Sequence, residues 1–258
     1  MSHVLDPPRT PPAQEQGRPV LSARGLVVAR GTAPLNFSVY PGLTLLYNYR
    51  ENFTTALSMT LAGRRRAVDG EVLMAAPGTD TLQHTGVRQR FQRVALAGAS
   101  EIDSLERQVP IRETIREQVA WASPWYRRVP RDIMAAPEVT RWVGPLGLGG
   151  LDAAVPAGEL DVARRFSVRV LLGLIARPRA DLVVIDDLDQ LRDHQLRAQM
   201  LDQLAELARA VPVLAHSVNP ERPAGSRIVD VAGRDRPATP LARATAAQQP
   251  QHTQKEGD

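Results

Sequence analysis

Two carboxylates stand side by side at the end of an apolar run, where Leu182-Val183-Val184-Ile185 leads into Asp186-Asp187. Such a run reads as a strand buried on both faces, and its C-terminal edge is where α/β sheets place ligands. Paired acids there suit acid–base or cation chemistry; the plainer alternative is a strand end followed by a helix cap, with Asp193 closing the segment. A second run, Val211-Pro212-Val213-Leu214-Ala215, ends in His216, either a group that meets a ligand or a partly buried structural histidine. The run Leu43–Leu46 is followed by a loop and then by Asn52-Phe53-Thr54-Thr55, where Asn52 and Thr54 are at the least good helix-capping residues. Asp161 opens another helical pattern and is a good N-cap by type.

The elements that would position these groups are legible in the pattern. Short apolar runs at Leu43–Leu46, Glu71–Met74, Arg93–Ala97, Leu182–Ile185 and Val211–Ala215 are bounded by Gly, Pro, Asp or Asn and read as buried strands. Helical patterns alternate with them at Thr54–Arg66, Ile111–Trp121, Leu160–Ala176 and His194–Ala210. Strand–helix alternation implies a largely parallel α/β sheet. Ahead of it, Ser22–Val28 and Leu35–Val39 are turn-linked extended pieces that predict an antiparallel edge sheet. The segment 99–159 lacks good strands and reads as a helical subdomain inserted between two parts of an α/β lobe, 20–98 and 160–233. It holds the tryptophans Trp121, Trp125 and Trp142. The termini, 1–19 and 234–258, carry too little apolar content to offset ordering entropy and are expected to be disordered tails.

Composition removes several kinds of chemistry. The chain has 258 residues and no cysteine, so disulfides, thiol catalysis and Cys-ligated metals are out. Of its 32 basic residues all but Lys255, in the C-terminal tail, are arginine. A catalytic or phosphate-clamping lysine is therefore excluded from the folded region. The net charge of +4 is spread along the chain, and no nucleic-acid partner is expected. No apolar run approaches the ~18 residues of a membrane span, and the first residues lack the apolar stretch of a secretory signal, so a cytoplasmic location is expected.

The order of landmarks carries a resemblance. Leu21-Ser22-Ala23-Arg24-Gly25-Leu26 leads to Leu35 through Leu46; then come Leu61-Ala62-Gly63-Arg64, Asp69-Gly70-Glu71-Val72, and Ile175-Ala176-Arg177-Pro178 ahead of Leu182 to Asp187. This succession, over about residues 21–232, resembles the nucleotide-binding subunit of ABC transporters. The resemblance implies a P-loop NTPase-like cassette with an antiparallel edge sheet, a parallel core sheet and a helical subdomain.

Against that framework the motifs depart from the family pattern. The family's phosphate loop reads G-x-x-x-x-G-K-[ST], with glycines that let backbone amides converge on phosphate and a lysine that clamps it. Here Tyr47 and Asn52 stand at the glycine positions, Phe53 at the lysine, and Thr54 keeps the magnesium-ligand hydroxyl, with Thr55 beside it. Loss of one charged donor to phosphate costs about 1.5–3 kcal/mol, or about ten- to a hundredfold in affinity. The signature serine is replaced by Asp161 and its glycines by Val162 and Ala163. Arg30 stands at the adenine-stacking position, and no glutamine is found near Gly98, where Glu101 is the nearest acid. By the same resemblance Asp186 would orient magnesium, Asp187 would take the place of the water-polarising glutamate, Asp193 would be the dimer contact, and His216 would require a one-residue bulge to serve as the switch histidine. Trp121, Trp125 and Tyr126 fall where the family receives a helix of the membrane permease, and the alternative is that these rings pack the helical subdomain.

The function implied is a cassette subunit on the inner face of a membrane transport complex, with an integral membrane permease and a second cassette, identical or not, as partners. ATP and magnesium would bind weakly or not at all, giving a regulatory or structural subunit. The alternative is a divergent Mg-ATPase that uses Thr54, Asp186 and Asp187.

Overall fold

The structure is a computed structural model that describes residues 17–48, 51–76, 78, 79, 81–99, 102–219, 221 and 223–231, with the backbone alone at Glu51 and Asn52. The proposed tails lie outside these residues except at 17–19, as do Arg50, Glu101 and Lys255.

The parallel sheet grows from the expected runs. β3 (Leu43–Tyr47), β6 (Val94–Ala97), β7 (Leu182–Ile185) and β8 (Val213–Ser217) join β9 (Arg227–Asp230) in the order β6-β7-β8-β3-β9. The first four are buried throughout. Side chains alternate between the sheet faces, as a two-residue period requires. On one face Leu43, Leu45, Ala95, Ala97, Val183, Ile185, Val213 and Ala215 join one core. On the other Leu46, Val94, Leu96, Leu182, Val184 and Leu214 join a second.

Each core is closed by a different layer. The second is covered by α1 (Glu51–Leu61), through Ala56, Leu57 and Leu61, and by an antiparallel sheet. That sheet has the order β2-β1-β4-β5, formed by β1 (Leu21–Val27), β2 (Leu35–Val39), β4 (Asp69–Ala75) and β5 (Leu82–His84). The edge sheet is thus found where it was expected, and it also takes β4, whose run 71–74 the sequence places among the core strands. Three consecutive buried residues in β4 fit a central strand of either sheet, and pairing with β1 decides it, from Leu21↔Met74 through Val27↔Asp69.

The first core is covered by α5 (Val162–Ala176) and α6 (His194–Leu207), and by the segment 102–159 with α3 (Ile111–Ala122) and α4 (Pro137–Val143). Among its described residues this segment has no strand; a single bridge, Pro110↔Pro156, ties its two ends together. Ile111, Ile115, Val119, Val139 and Trp142 pack into the same core as the parallel sheet, so the helical segment shares that core. The remaining helix, α2 (Val87–Arg93), leads directly into β6.

Candidate functional site

β7 and β8 lie side by side, so the groups just beyond β7 and in the last residues of β8 converge with α1. Thr54, Thr55, Asp186, Asp187, His216 and Ser217 border one cavity of about 480 Å³ at this C-terminal edge. The edge is the place at which open α/β sheets receive ligands.

The centre of the site is Asp186, only 1% exposed. Thr55 donates its hydroxyl to Asp186 Oδ2 at 2.7 Å. Thr54 lines the cavity one residue earlier, and the hydroxyl bonded to the carboxylate is that of Thr55. One residue on a helix is a rotation of about 100°, which a count along the sequence does not resolve.

His216 lies near the end of β8, which has no bulge there. β8 pairs with β3 in regular register, Leu46 opposite His216 and Tyr47 opposite Ser217. The imidazole is 1% exposed. Its Nδ1 shares a hydrogen bond of 3.1 Å with Ser58 Oγ and lies 4.0 Å from Asp186 Oδ1. Complete burial pushes its pKa down to about 3, against a smaller upward pull from a hydrogen bond with the Thr54 backbone. At neutral pH it is therefore an uncharged imidazole beside a buried carboxylate, and the pair is not an ion pair.

Asp187 is half-buried and raised in pKa, first by desolvation and then by the neighbouring Asp189 charge. Its Oδ1 accepts from the Asp189 amide at 3.0 Å, capping a single 3-10 turn over Leu188–Gln190. A carboxylate in such surroundings is more basic than a free one, the direction a proton acceptor needs.

Asp189, which the sequence did not single out, organises the facing loop. Its carboxylate accepts from the Val218 amide at 2.7 Å, from Ser217 Oγ at 3.0 Å and from Asn219 Nδ2. Gln190 adds a second tie, donating from Nε2 to the Gly98 carbonyl at 2.7 Å and accepting from Arg169 at 2.6 Å. Arg169 also pairs with Asp103, which accepts from the Gly98 amide at 2.6 Å. Gly98 has φ of 84°, and a Cβ there would stand 3.2 Å from the Asp186 amide. The family-based expectation sought a glutamine in the sequence near Gly98; in space Gln190 reaches Gly98 from the 3-10 turn that follows β7. The run of three aspartates in Asp186-Asp187-Leu188-Asp189 was the available signal for Asp189; nothing local marked Gln190.

The other expected residues are not at this cavity. Phe53 is half-buried on α1 and does not line it. The side chain of Asn52 lies outside the described residues. Asp161 is the exposed N-cap of α5, accepting from the Arg164 amide at 2.8 Å. Asp193 caps α6, accepting from the Gln195 and Leu196 amides at 2.8 and 3.0 Å. Trp121, Trp125 and Tyr126 are 75%, 95% and 73% exposed, while Trp142 is buried at 9%. Trp125 and Tyr126 meet edge to face with centroids 5.9 Å apart.

The donor set fits half of Mg-ATP. Asp186 with its adjacent hydroxyls offers the hard oxygen ligands that magnesium takes, although no group of three or more His, Asp or Glu able to hold a metal occurs among the described residues. For phosphate, the described residues that line the cavity offer one cation, Arg192.

The two-sheet architecture, with the acid at the end of β7 facing the start of α1, defines the fold of an ATP-binding cassette, and the comparisons agree. An ATP-binding protein of an ABC transporter from Pyrococcus furiosus superposes with a TM-score of 0.57 at 15% identity, over 82% of this chain and 96% of that one. For cbiO1 of Clostridium perfringens, part of the ABC transporter complex cbiONQ, the values are 0.57 and 11%, over 79% and 80%. A nucleotide-free cassette of an ABC transporter gives 0.58 and 13%, over 77% and 80%. No family model matches the sequence, and no curated protein does. No described helix is long and apolar enough to cross a membrane.

Proposed function

We propose that this chain is the cassette subunit of a membrane transport complex, in a regulatory or structural role, binding ATP weakly or not at all. The observation that carries the reading is the junction of β3 and α1. From Gly42 to Gly63 there is no glycine to bring backbone amides onto a phosphate, and no lysine occurs before Lys255. The Asp186 carboxylate is instead engaged by Thr55 within the fold. Asp161 at the head of α5 puts a carboxylate where a partner's phosphate would sit, so the chain is poor in both halves of a composite site. The partners are an integral membrane permease and a second cassette, and the exposed Trp121, Trp125 and Tyr126 are the surface offered to the permease. Such a subunit sits on the inner face of the membrane as a peripheral protein.

The test is a titration of the chain with Mg-ATP, following thermal stability and phosphate release, beside Asp186→Asn. No release and a stabilisation well below ~2 kcal/mol at millimolar ATP are expected. A larger stabilisation that disappears in Asp186→Asn, with phosphate released, would establish the divergent Mg-ATPase instead.

A further inference from the structure

The opposite edge of the parallel sheet carries a second cavity. There α2 runs into the N-terminal end of β6, and the chain leaving α5 passes Arg177-Pro178-Arg179 before it enters β7. Phe91, Gln92, Arg177 and Arg179 border a cavity of about 350 Å³. Phe91 is 41% exposed. The Arg177 and Arg64 guanidiniums lie 4.0 and 5.4 Å from its ring centroid, both within cation–π range.

Both arginines are held there by the backbone. Gly63, with φ of 65°, ends α1 directly on α2: a Cβ would come within 2.2 Å of the Val87 carbonyl oxygen and 2.4 Å of the Phe91 nitrogen. That contact delivers the next residue, Arg64, to the ring. Arg177 donates from Nε to the Phe91 carbonyl and from Nη1 to the Ala176 carbonyl at 2.6 Å. This uses two of the guanidinium's five donors and fixes its plane. Arg88, exposed, precedes Phe91 and Gln92 by three and four residues on α2 and so shares their helix face.

None of these arginines forms an ion pair with a described residue. Among the described residues no carboxylate lies within 4.0 Å of Arg64, Arg88, Arg177 or Arg179. Elsewhere Arg127 meets Glu138 at 2.8 Å and Arg197 meets Glu221 at 3.1 Å. Sharing one ring keeps the Arg64 and Arg177 charges within about 10 Å, about one Debye length in 0.1 M salt, so their repulsion is only partly screened. Burial and then the Arg64 charge lower the pKa of Arg177; burial lowers that of Arg64, with Asp103 offsetting a part. An anion in the cavity would relieve that cost.

We infer that this cavity binds a phosphate-bearing anion, held by Arg177 and Arg179, which line it beside Phe91, while the charges of Arg64, near the Phe91 ring, and Arg88, on the same face of α2, add to the field there. Guanidinium forks match the oxygens of a phosphate, and a tetrahedral oxyanion accepts from several forks at once where a planar carboxylate faces one. The volume is that of a small-ligand site. The phosphate is either a free one or the headgroup of an anionic lipid, and the test separates the two.

The full chain is titrated calorimetrically with inorganic pyrophosphate at low salt, as wild type, as Arg88→Glu with Arg179→Glu, and as Arg192→Glu with Arg209→Glu. All four positions are exposed, so the variants keep the fold, and the second pair makes the same charge change at the Asp186 cavity and in the turn that follows α6. Saturable binding is expected that weakens by about tenfold or more in the first pair and stays unchanged in the second. Co-sedimentation with phosphatidylglycerol vesicles, set beside phosphatidylcholine vesicles, runs in parallel. Capture by the former alone, lost in the first pair, assigns the phosphate to a lipid headgroup; pyrophosphate binding without capture assigns a free phosphate. Failure of the wild type to bind either probe overturns the inference, as does an equal loss in both pairs of variants.

Discussion

Thr55 donates its hydroxyl to Asp186 Oδ2 across 2.7 Å, joining the N-terminal half of α1 to the end of β7 over 131 residues of sequence. The carboxylate is almost wholly buried, so solvent cannot replace a donor that is removed. Thr55→Val should cost about 1.5–3 kcal/mol, the value of a hydrogen bond to a charged group. Thr54→Val, one residue away and with no such bond, should cost much less. Urea unfolding of the two variants checks this, and equal losses would deny Thr55 the role.

The buried His216 makes acid sensitivity predictable. Its folded pKa, about 3, lies below its ordinary value of 6.5, so the unfolded chain takes up the proton first. Stability from this group is complete above pH 6.5 and falls as pH drops toward 3, by up to about 1.4 kcal/mol per pH unit. His216→Asn, which can keep a bond to Ser58, should flatten that part of the curve. Denaturant midpoints of both proteins at pH 7 and pH 4.5 give the comparison, and parallel curves would refute the assignment.

Asp187 works in the other direction. Its folded pKa is raised by desolvation and by the charge of Asp189, so the favourable contribution is present below pH 3.8 and is lost as pH rises through the folded value. Asp187→Asn should therefore raise Tm at pH 7, since an amide oxygen still caps the Asp189 amide. The gain should shrink as the pH approaches 3.8. A fall in Tm at pH 7 would mean that Asp187 is held by contacts other than these.

How far the sequence reached is visible at particular residues. The runs at Leu43, Val94, Leu182 and Val213 were legible because a strand covered on both faces must be apolar throughout, whatever its neighbours. Asp186, Asp187, Thr54, Thr55 and His216 converge for the same reason, since each stands at the end of a legible strand or the start of a legible helix. β5 has three residues and β9 is only half-buried, and neither has a pattern of its own. The Asp103–Arg169–Gln190–Gly98 network was illegible because its members are separated by up to 92 residues and each one alone has the look of a surface residue. The exposed Phe91 and its arginines escape for another reason: periodicity finds what is buried, and a cation–π pair has no period.

That network supplies a further prediction. Arg169 is buried at 9% exposure and carries both Asp103 and Gln190. Breaking a buried pair by removing one partner costs about 3–5 kcal/mol, whereas an apolar replacement of both can be close to neutral. Arg169→Leu should fall in that range, and Arg169→Leu with Asp103→Leu should recover most of it in a double-mutant cycle. A double variant no more stable than Arg169→Leu would show that Asp103 carries no unpaired charge once the arginine is gone.

The tryptophans of the helical segment separate packing from partner binding. Trp142 is buried in the core shared with the parallel sheet, with Arg141 over its ring at 4.6 Å, so Trp142→Ala should cost about 3–5 kcal/mol. Trp125 is 95% exposed and Tyr126 73%, and neither packs a core. Trp125→Ala with Tyr126→Ala should therefore leave Tm unchanged, since ring burial that does not exist cannot be lost. If these rings are the contact with a permease, the same variant should lose an integral membrane protein that co-purifies with the wild type from detergent extracts. A lower Tm would return the pair to a packing role, and undiminished co-purification would move the interface elsewhere on the chain.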